Sequence, residues 1–104
     1  MDMEATVMEL IINAGESRSL AMQALQAARK GVWQDVDRLM QDAADAAKRA
    51  HDVQTMLIGM DEGCGKVPVN LLLVHAQDHI MTSMLARELI AELIEVQRQL
   101  QHRN

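Results

Sequence analysis

Two histidines and an aspartate fall within five residues in the stretch Val74-His75-Ala76-Gln77-Asp78-His79-Ile80-Met81-Thr82. The surrounding segment is apolar and contains no helix breaker, so it reads as helix. On a helix His75, Asp78 and His79 stand at i, i+3 and i+4 and share one face. Imidazole is both nucleophilic and largely neutral at cellular pH, which makes a pair of them a candidate for chemistry. Three chemistries fit the spacing. Two histidines one turn apart can share a metal, but here the carboxylate directly precedes the second histidine and no further Cys or His completes a zinc set. A His–Asp pair can act as general acid and base, but no nucleophile accompanies it. A histidine can also carry a phosphoryl group, which asks only for an accessible ring nitrogen, positioning and donors for the phosphate oxygens. The same residues would serve equally as core histidines satisfied by neighbours, His79 by Asp78 or Thr82.

The elements that must position these residues are helical. The first helix is expected from about Met3 to Lys30, with Val7, Leu10, Ile11, Ala14, Ala21, Leu25 and Ala28 at spacings of three and four. Gly15, Ser17 and Ser19 weaken its middle, where a bend is expected, and Arg18 falls on its apolar side. Arg29-Lys30-Gly31 is a stop, with cations in the last turn and a glycine able to take the left-handed cap. The second helix is expected from about Trp33 to Met60. Its stripe is thin and Ala-rich (Val36, Met40, Ala43, Ala47, Ala50, Leu57), and Val32 stands where a capping side chain would be expected. Asp61 to Val67 is the main loop, with Gly63 and Gly65 as breakers. Pro68 is placed as the first residue of a third helix ending near Gln101.

In that third helix Leu72, His75, His79, Thr82, Ala86, Leu89, Leu93, Val96 and Leu100 alternate three and four apart, a heptad seam. A second side, with Leu73, Val74, Ile80, Met81, Met84 and Leu85, is apolar too. A helix with two apolar sides packs against its own bundle and against something else, most simply another copy of the chain.

Composition bounds the alternatives. The chain has 104 residues, expected to form a single domain over 1–104 whose small core would gain from assembly. Hydrophobic residues make up 49%, too many for disorder. Trp33 is the lone aromatic residue, so stacking platforms for single-stranded nucleic acid are missing. The core must come from Ala, Leu, Ile, Val and the nine Met. A formal charge of -5 argues against nucleic acid and anionic membranes. One cysteine, Cys64, makes no internal disulfide, which fits a reducing cytoplasm, and reads as a loop thiol without a role. The start Met1-Asp2-Met3-Glu4 is not a secretory signal, and no apolar run is long enough for membrane insertion.

The motif from Val74 to Thr82 resembles the signature of the enzyme IIA components of the lactose/cellobiose/chitobiose sugar phosphotransferase systems. Ile11-Ile12-Asn13-Ala14-Gly15, Ala50-His51 with Gln54-Thr55, and Ser83-Met84-Leu85-Ala86-Arg87-Glu88-Leu89-Ile90 look like that family too. The last points to its N,N′-diacetylchitobiose/cellobiose-type members. The resemblance runs from about Val7 to Leu100. Val32-Trp33 departs from the family's Asp-aromatic pair, and the Cys64 loop is unusual.

The resemblance implies an all-α, antiparallel three-helix bundle that forms a homotrimer with the third helices around the threefold axis. It implies that His75 accepts a phosphoryl group from phospho-HPr and passes it to a cysteine of enzyme IIB. Uptake and phosphorylation of a β-linked disaccharide by the membrane component, enzyme IIC, would follow. His79 is expected to support by donating to the phosphate or orienting the ring, and Gln77 by reaching a neighbour's site in the oligomer. Asp78 matches the family aspartate that gathers near the trimer axis. Three such carboxylates would repel one another or recruit a cation, and an oxygen-rich site suits Mg2+, one per trimer, in a structural role. Two other classes compete: a non-catalytic helical oligomerisation or scaffold module with a metal-stabilised core, and a metal-dependent hydrolase using both histidines.

Overall fold

Asp2 opens the first helix. Its backbone is extended, and its side chain accepts the Ala5 N–H at 3.1 Å, satisfying one of the free amides of the first turn. The computed structural model describes residues 2–102. From Asp2 the chain runs through α1 (Met3–Arg29), α2 (Trp33–Asp61) and α3 (Leu71–His102). The stop after α1 is as the sequence implies. Lys30 ends the helix and Gly31 takes φ +76°. The Val32 and Gly31 N–H groups then close back on the Ala27 and Ala28 carbonyls, the paired bonds of a Schellman turn. The expected weak point at Gly15 does not interrupt α1, and Arg18 is exposed rather than on the packed side. Ser17 takes the packed position and donates its hydroxyl to the Ala43 carbonyl at 2.8 Å.

α2 starts without a side-chain cap at Val32, as expected, with Asp35 in its first turn. It ends on Glu62 in the left-handed region (φ 53°). Asp61 then organises the loop, its carboxylate accepting the N–H groups of Gly65 and Val67. α3 does not begin at Pro68. Asn70 caps it instead: its side chain accepts the Leu73 N–H at 2.9 Å while its carbonyl accepts the Val74 N–H. Pro68 lies outside the helix, in the segment leading to it, because a capping side chain outranks a fixed φ in setting a helix start.

α1 lies between its two neighbours. α1 and α2 run antiparallel, with Ser17 against Ala43 and Asn13 bonded to Arg49. α3 runs parallel to α1 and antiparallel to α2, since Gln101 near its end reaches both Ala28 and Trp33. The core divides into two clusters. One gathers Val7, Leu10, Ala14, Ala50, Val53, Leu57, Ala76 and Ile80; the other gathers Ala21, Ala24, Ala28, Val36, Leu39, Ala43, Ile90 and Ile94. On α2 the buried line is Leu39 and Ala46, one residue before the expected Met40 and Ala47. The full burial of Ala43 and Ala46 gives the close helix approach that an alanine stripe permits. The methionines contribute to the core only at its edge: Met3, Met40 and Met84 pack half-buried against the two clusters, and Met8, Met22, Met56 and Met81 are exposed.

The far end of the bundle is held by one glutamine. Gln101 accepts the Trp33 indole N–H at 2.8 Å and donates to the Ala28 carbonyl at 2.8 Å, while the Arg98 guanidinium covers the indole at 4.4 Å. Gln101→Ala removes both bonds and leaves the Trp33 indole N–H unpaired, while the Ala28 carbonyl keeps the Gly31 N–H. The expected loss is roughly 1–3 kcal/mol of unfolding free energy. Urea denaturation followed by Trp33 emission reads it, and an unchanged midpoint would mean water replaces both bonds at no cost.

Candidate functional site

The site is built on the first turns of α3. His75 stands just past the first turn and is exposed; His79, one turn later, is half-buried. Their rings meet edge to face, with centroids 4.5 Å apart and planes at 84°. The two Nε2 atoms approach to 3.1 Å, hydrogen-bond distance. One ring must therefore present Nε2–H and the other a lone pair at Nε2; the tautomers decide which. The contact fixes the direction of the His75 ring and sets a donor or acceptor at its distal nitrogen. A cavity of about 420 Å³ lies beside His75, walled by Leu71 and Leu72, the apolar rim expected of a surface that receives a partner. The start of α3 also points the positive end of its dipole toward this corner, which favours an arriving anion.

The other residues separate. Gln77 faces α2, where it exchanges two 2.7 Å hydrogen bonds with Gln54, so it does not meet His75 of its own chain. Asp78 is exposed, and among the described residues its carboxylate enters no hydrogen bond or ion pair. Its backbone carbonyl accepts the Thr82 hydroxyl at 2.8 Å, with the His79 carbonyl a longer second acceptor. The expectation that Asp78 or Thr82 satisfies the His79 ring thus gives way to the partner His75. Among the described residues no three His, Cys, Asp or Glu of one chain gather as a metal set. Cys64 is exposed and its thiol lies against the Asp61 carbonyl. Gln54 is the residue whose role the sequence concealed. A lone mid-helix glutamine gives no sign of its partner until α2 and α3 are placed side by side.

An exposed imidazole, in contact with a second imidazole one turn along its helix and bordered by an apolar hollow, is an arrangement suited to carrying a small group between larger partners. The chain matches, over residues 5–98, the family described as the PTS system lactose/cellobiose-specific IIA subunit. It is 54% identical over 99 residues to the N,N'-diacetylchitobiose-specific EIIA component of the PTS system from Escherichia coli strain K12, covering 95% of this chain and 85% of that one. Among solved structures it superposes on the PTS cellobiose-specific enzyme IIA from Bacillus anthracis with a TM-score of 0.94 at 38% identity, covering 100% and 95% of the two chains. It also superposes on the IIA(chitobiose) chain of the Escherichia coli IIA(chitobiose)–HPr complex, with a TM-score of 0.85, 51% identity and coverage of 97% and 98%.

The chain therefore belongs to the lactose/cellobiose-specific IIA family. It is a phosphoryl-carrying phosphotransferase component of a sugar phosphotransferase system. Among the described residues no helix is long and apolar enough to cross a membrane.

Proposed function

We propose that His75 accepts the phosphoryl group from phospho-HPr and hands it to a cysteine of enzyme IIB, in the cytoplasmic relay that serves a β-linked disaccharide of the chitobiose/cellobiose class. The observation that carries this is the exposed His75 ring held by His79 at 3.1 Å. The bond from phosphorus to the donor breaks as the bond from phosphorus to a His75 ring nitrogen forms. In the second transfer that P–N bond breaks as a P–S bond forms on the acceptor thiolate. Nε2 is the nitrogen farther from the backbone, and the arriving phosphoryl group takes the place of its contact with His79. His79 Nε2–H, released from His75, then donates to a phosphoryl oxygen. A phosphoramidate keeps the transfer reversible, as a relay requires. Intact mass after incubation with phosphoenolpyruvate, enzyme I and HPr tests the reading: one acid-labile phosphoryl group per chain is expected. No gain with an HPr that phosphorylates other IIA proteins would sink it and favour the scaffold alternative.

The assembly in this reading is a homotrimer with α3 helices around the axis. Its support is the seam itself: Leu89, Leu93, Val96 and Leu100 are each more than half exposed in the single chain. Asp78 lies on the outer side of α3 beside that seam, and its unpaired carboxylate is a hard oxygen donor. Three copies fit one Mg2+ better than zinc. The ion would neutralise the carboxylates, and no transfer step passes through it. Gln77 would turn from Gln54 toward a neighbour's His75.

Asp78→Leu tests the balance of these forces. Removing three like charges from a desolvated axis should leave the trimer intact or tighten it, by about 1–4 kcal/mol, and make it indifferent to chelator. Sedimentation equilibrium that finds this variant monomeric, beside a trimeric parent, would mean that metal ligation holds the assembly together.

A further inference from the structure

Between α2 and α3, on another side of α3 from His75, lies a groove that the relay does not use. It has a volume of about 230 Å³, several waters' worth, and is lined by Ala44, Ala47, Lys48 and His51 of α2 and by Met84 and Arg87 of α3. Arg87 is twelve residues beyond His75, roughly 18 Å along the helix and a third of a turn around it. The two places are therefore separate.

Arg87 is the unusual member. Its Nε is buried and has no hydrogen-bond partner. Among the described residues no carboxylate lies within ion-pair distance of its guanidinium. In a chain of net charge -5 a half-buried arginine would be expected to find one of fifteen carboxylates. A buried N–H without an acceptor is costly, and native proteins rarely leave one so. Nε belongs to the planar edge through which a guanidinium binds oxyanions with two parallel bonds. Lys48 and His51 add donors at the rim. Lys48 pairs with Asp52 at 2.9 Å, but both side chains are exposed (77% and 61%), so that pair holds Lys48 weakly and leaves it free to turn. Ala44, Ala47 and Met84 supply apolar walls against which water is a poor competitor.

We infer that this groove is an oxyanion site in which Arg87, assisted by Lys48 and His51, binds a phosphate group, free or carried by a small phosphorylated metabolite. A phosphate in the groove supplies acceptors to the Arg87 guanidinium, and its Nε, closed off as it stands, joins them when the side chain turns toward the groove. Occupancy would also draw α2 and α3 together where their direct packing is sparse.

Backbone amide NMR of the uniformly labelled protein is the test, titrated at constant ionic strength and pH with inorganic phosphate, with a hexose 6-phosphate and with chloride as control. Saturable shifts are expected at residues 44–51 and 84–87, and not at His75. Arg87→Gln should weaken binding by about tenfold or more, the loss of one charge-assisted bidentate contact. Arg87→Lys keeps the charge and should recover only part of it. Tighter binding of the hexose phosphate than of phosphate would assign the site to a phosphorylated metabolite; equal binding would assign it to the free anion. Shifts that never saturate, that chloride reproduces, or that Arg87→Gln leaves unchanged would overturn the site. Should Arg87→Gln misfold by circular dichroism, the pair Lys48→Gln and His51→Gln carries the same comparison at exposed positions, with weakened phosphate binding expected and unchanged binding counting against the site.

Discussion

His75→Ala is expected to fold like the parent and to carry no phosphoryl group. The ring is exposed, so its truncation should change stability by no more than about 0.5 kcal/mol. The loss of function is total in principle, because a methyl group offers no lone pair to phosphorus. His79 is a poor substitute. Its ring is half-buried, whereas that of His75 is exposed and open to a partner. His79→Ala should behave differently: the acceptor remains, but the distal nitrogen loses the donor that orients it and that would meet the phosphoryl oxygen. One charge-assisted hydrogen bond is worth about 1.5–3 kcal/mol, which corresponds to a transfer slower by roughly 10- to 150-fold with the same end point. Intact mass at the end point and quenched-flow sampling before it separate the two variants. Acid-labile phosphate on His75→Ala with none on His79→Ala would exchange the two roles.

The sequence was most readable where one side chain decides a local structure. Gly31 and the cations before it mark the end of α1, and the Schellman bonds form there. The start of α3 was misread: Pro68 merely tolerates a first turn, whereas the Asn70 side chain takes a free N–H of the helix and sets its start. In α2 the buried line could not be read to the residue. Alanines at 43, 44, 46, 47 and 50 make adjacent stripes equally apolar, so the packing of α1 chooses between them. The methionines reach only the edge of the core (Met3, Met40 and Met84) for a related reason: alanine-rich helices approach too closely to leave internal gaps for a flexible side chain to fill. At the site, the pairing of His75 with His79 followed from the i, i+4 spacing, since both belong to one helix. The Gln54–Gln77 exchange did not, because it depends on the register between two helices.

Leu93→Glu is expected to turn the proposed trimer into a soluble, fully helical monomer. The two apolar sides of α3 have different fates in the single chain. The side against the bundle is Ala76, Ile80, Ile90 and Ile94; of the expected second side only Ile80 is fully buried, and Val74, Met81 and Leu85 stay exposed, as do the seam residues Leu89, Leu93, Val96 and Leu100 at between 51% and 54%. A continuous apolar line of that length is a place for association rather than for water. Because Leu93 is not part of the bundle's own core, a charge there leaves the monomer's packing untouched. In the assembly the same charge would be buried three times over, losing about 1.5–3 kcal/mol of leucine burial per copy and adding the cost of desolvating each carboxylate. The sum exceeds roughly 5 kcal/mol per assembly, a weakening of more than about a thousandfold. Sedimentation should find about 35 kDa for the parent, three copies of 11.6 kDa, and a single copy for the variant. A parent that sediments as one chain at micromolar concentration would remove the trimer from the proposal, and a trimeric variant would move the interface elsewhere. The expected consequence reaches the chemistry as well. His75 lies on the same three-and-four line as Leu89 and Leu93, so a copy covering the seam, as proposed, would also border the proposed phosphoryl site. Leu93→Glu should therefore slow transfer through an intact His75, and the slowing should follow the fraction of monomer.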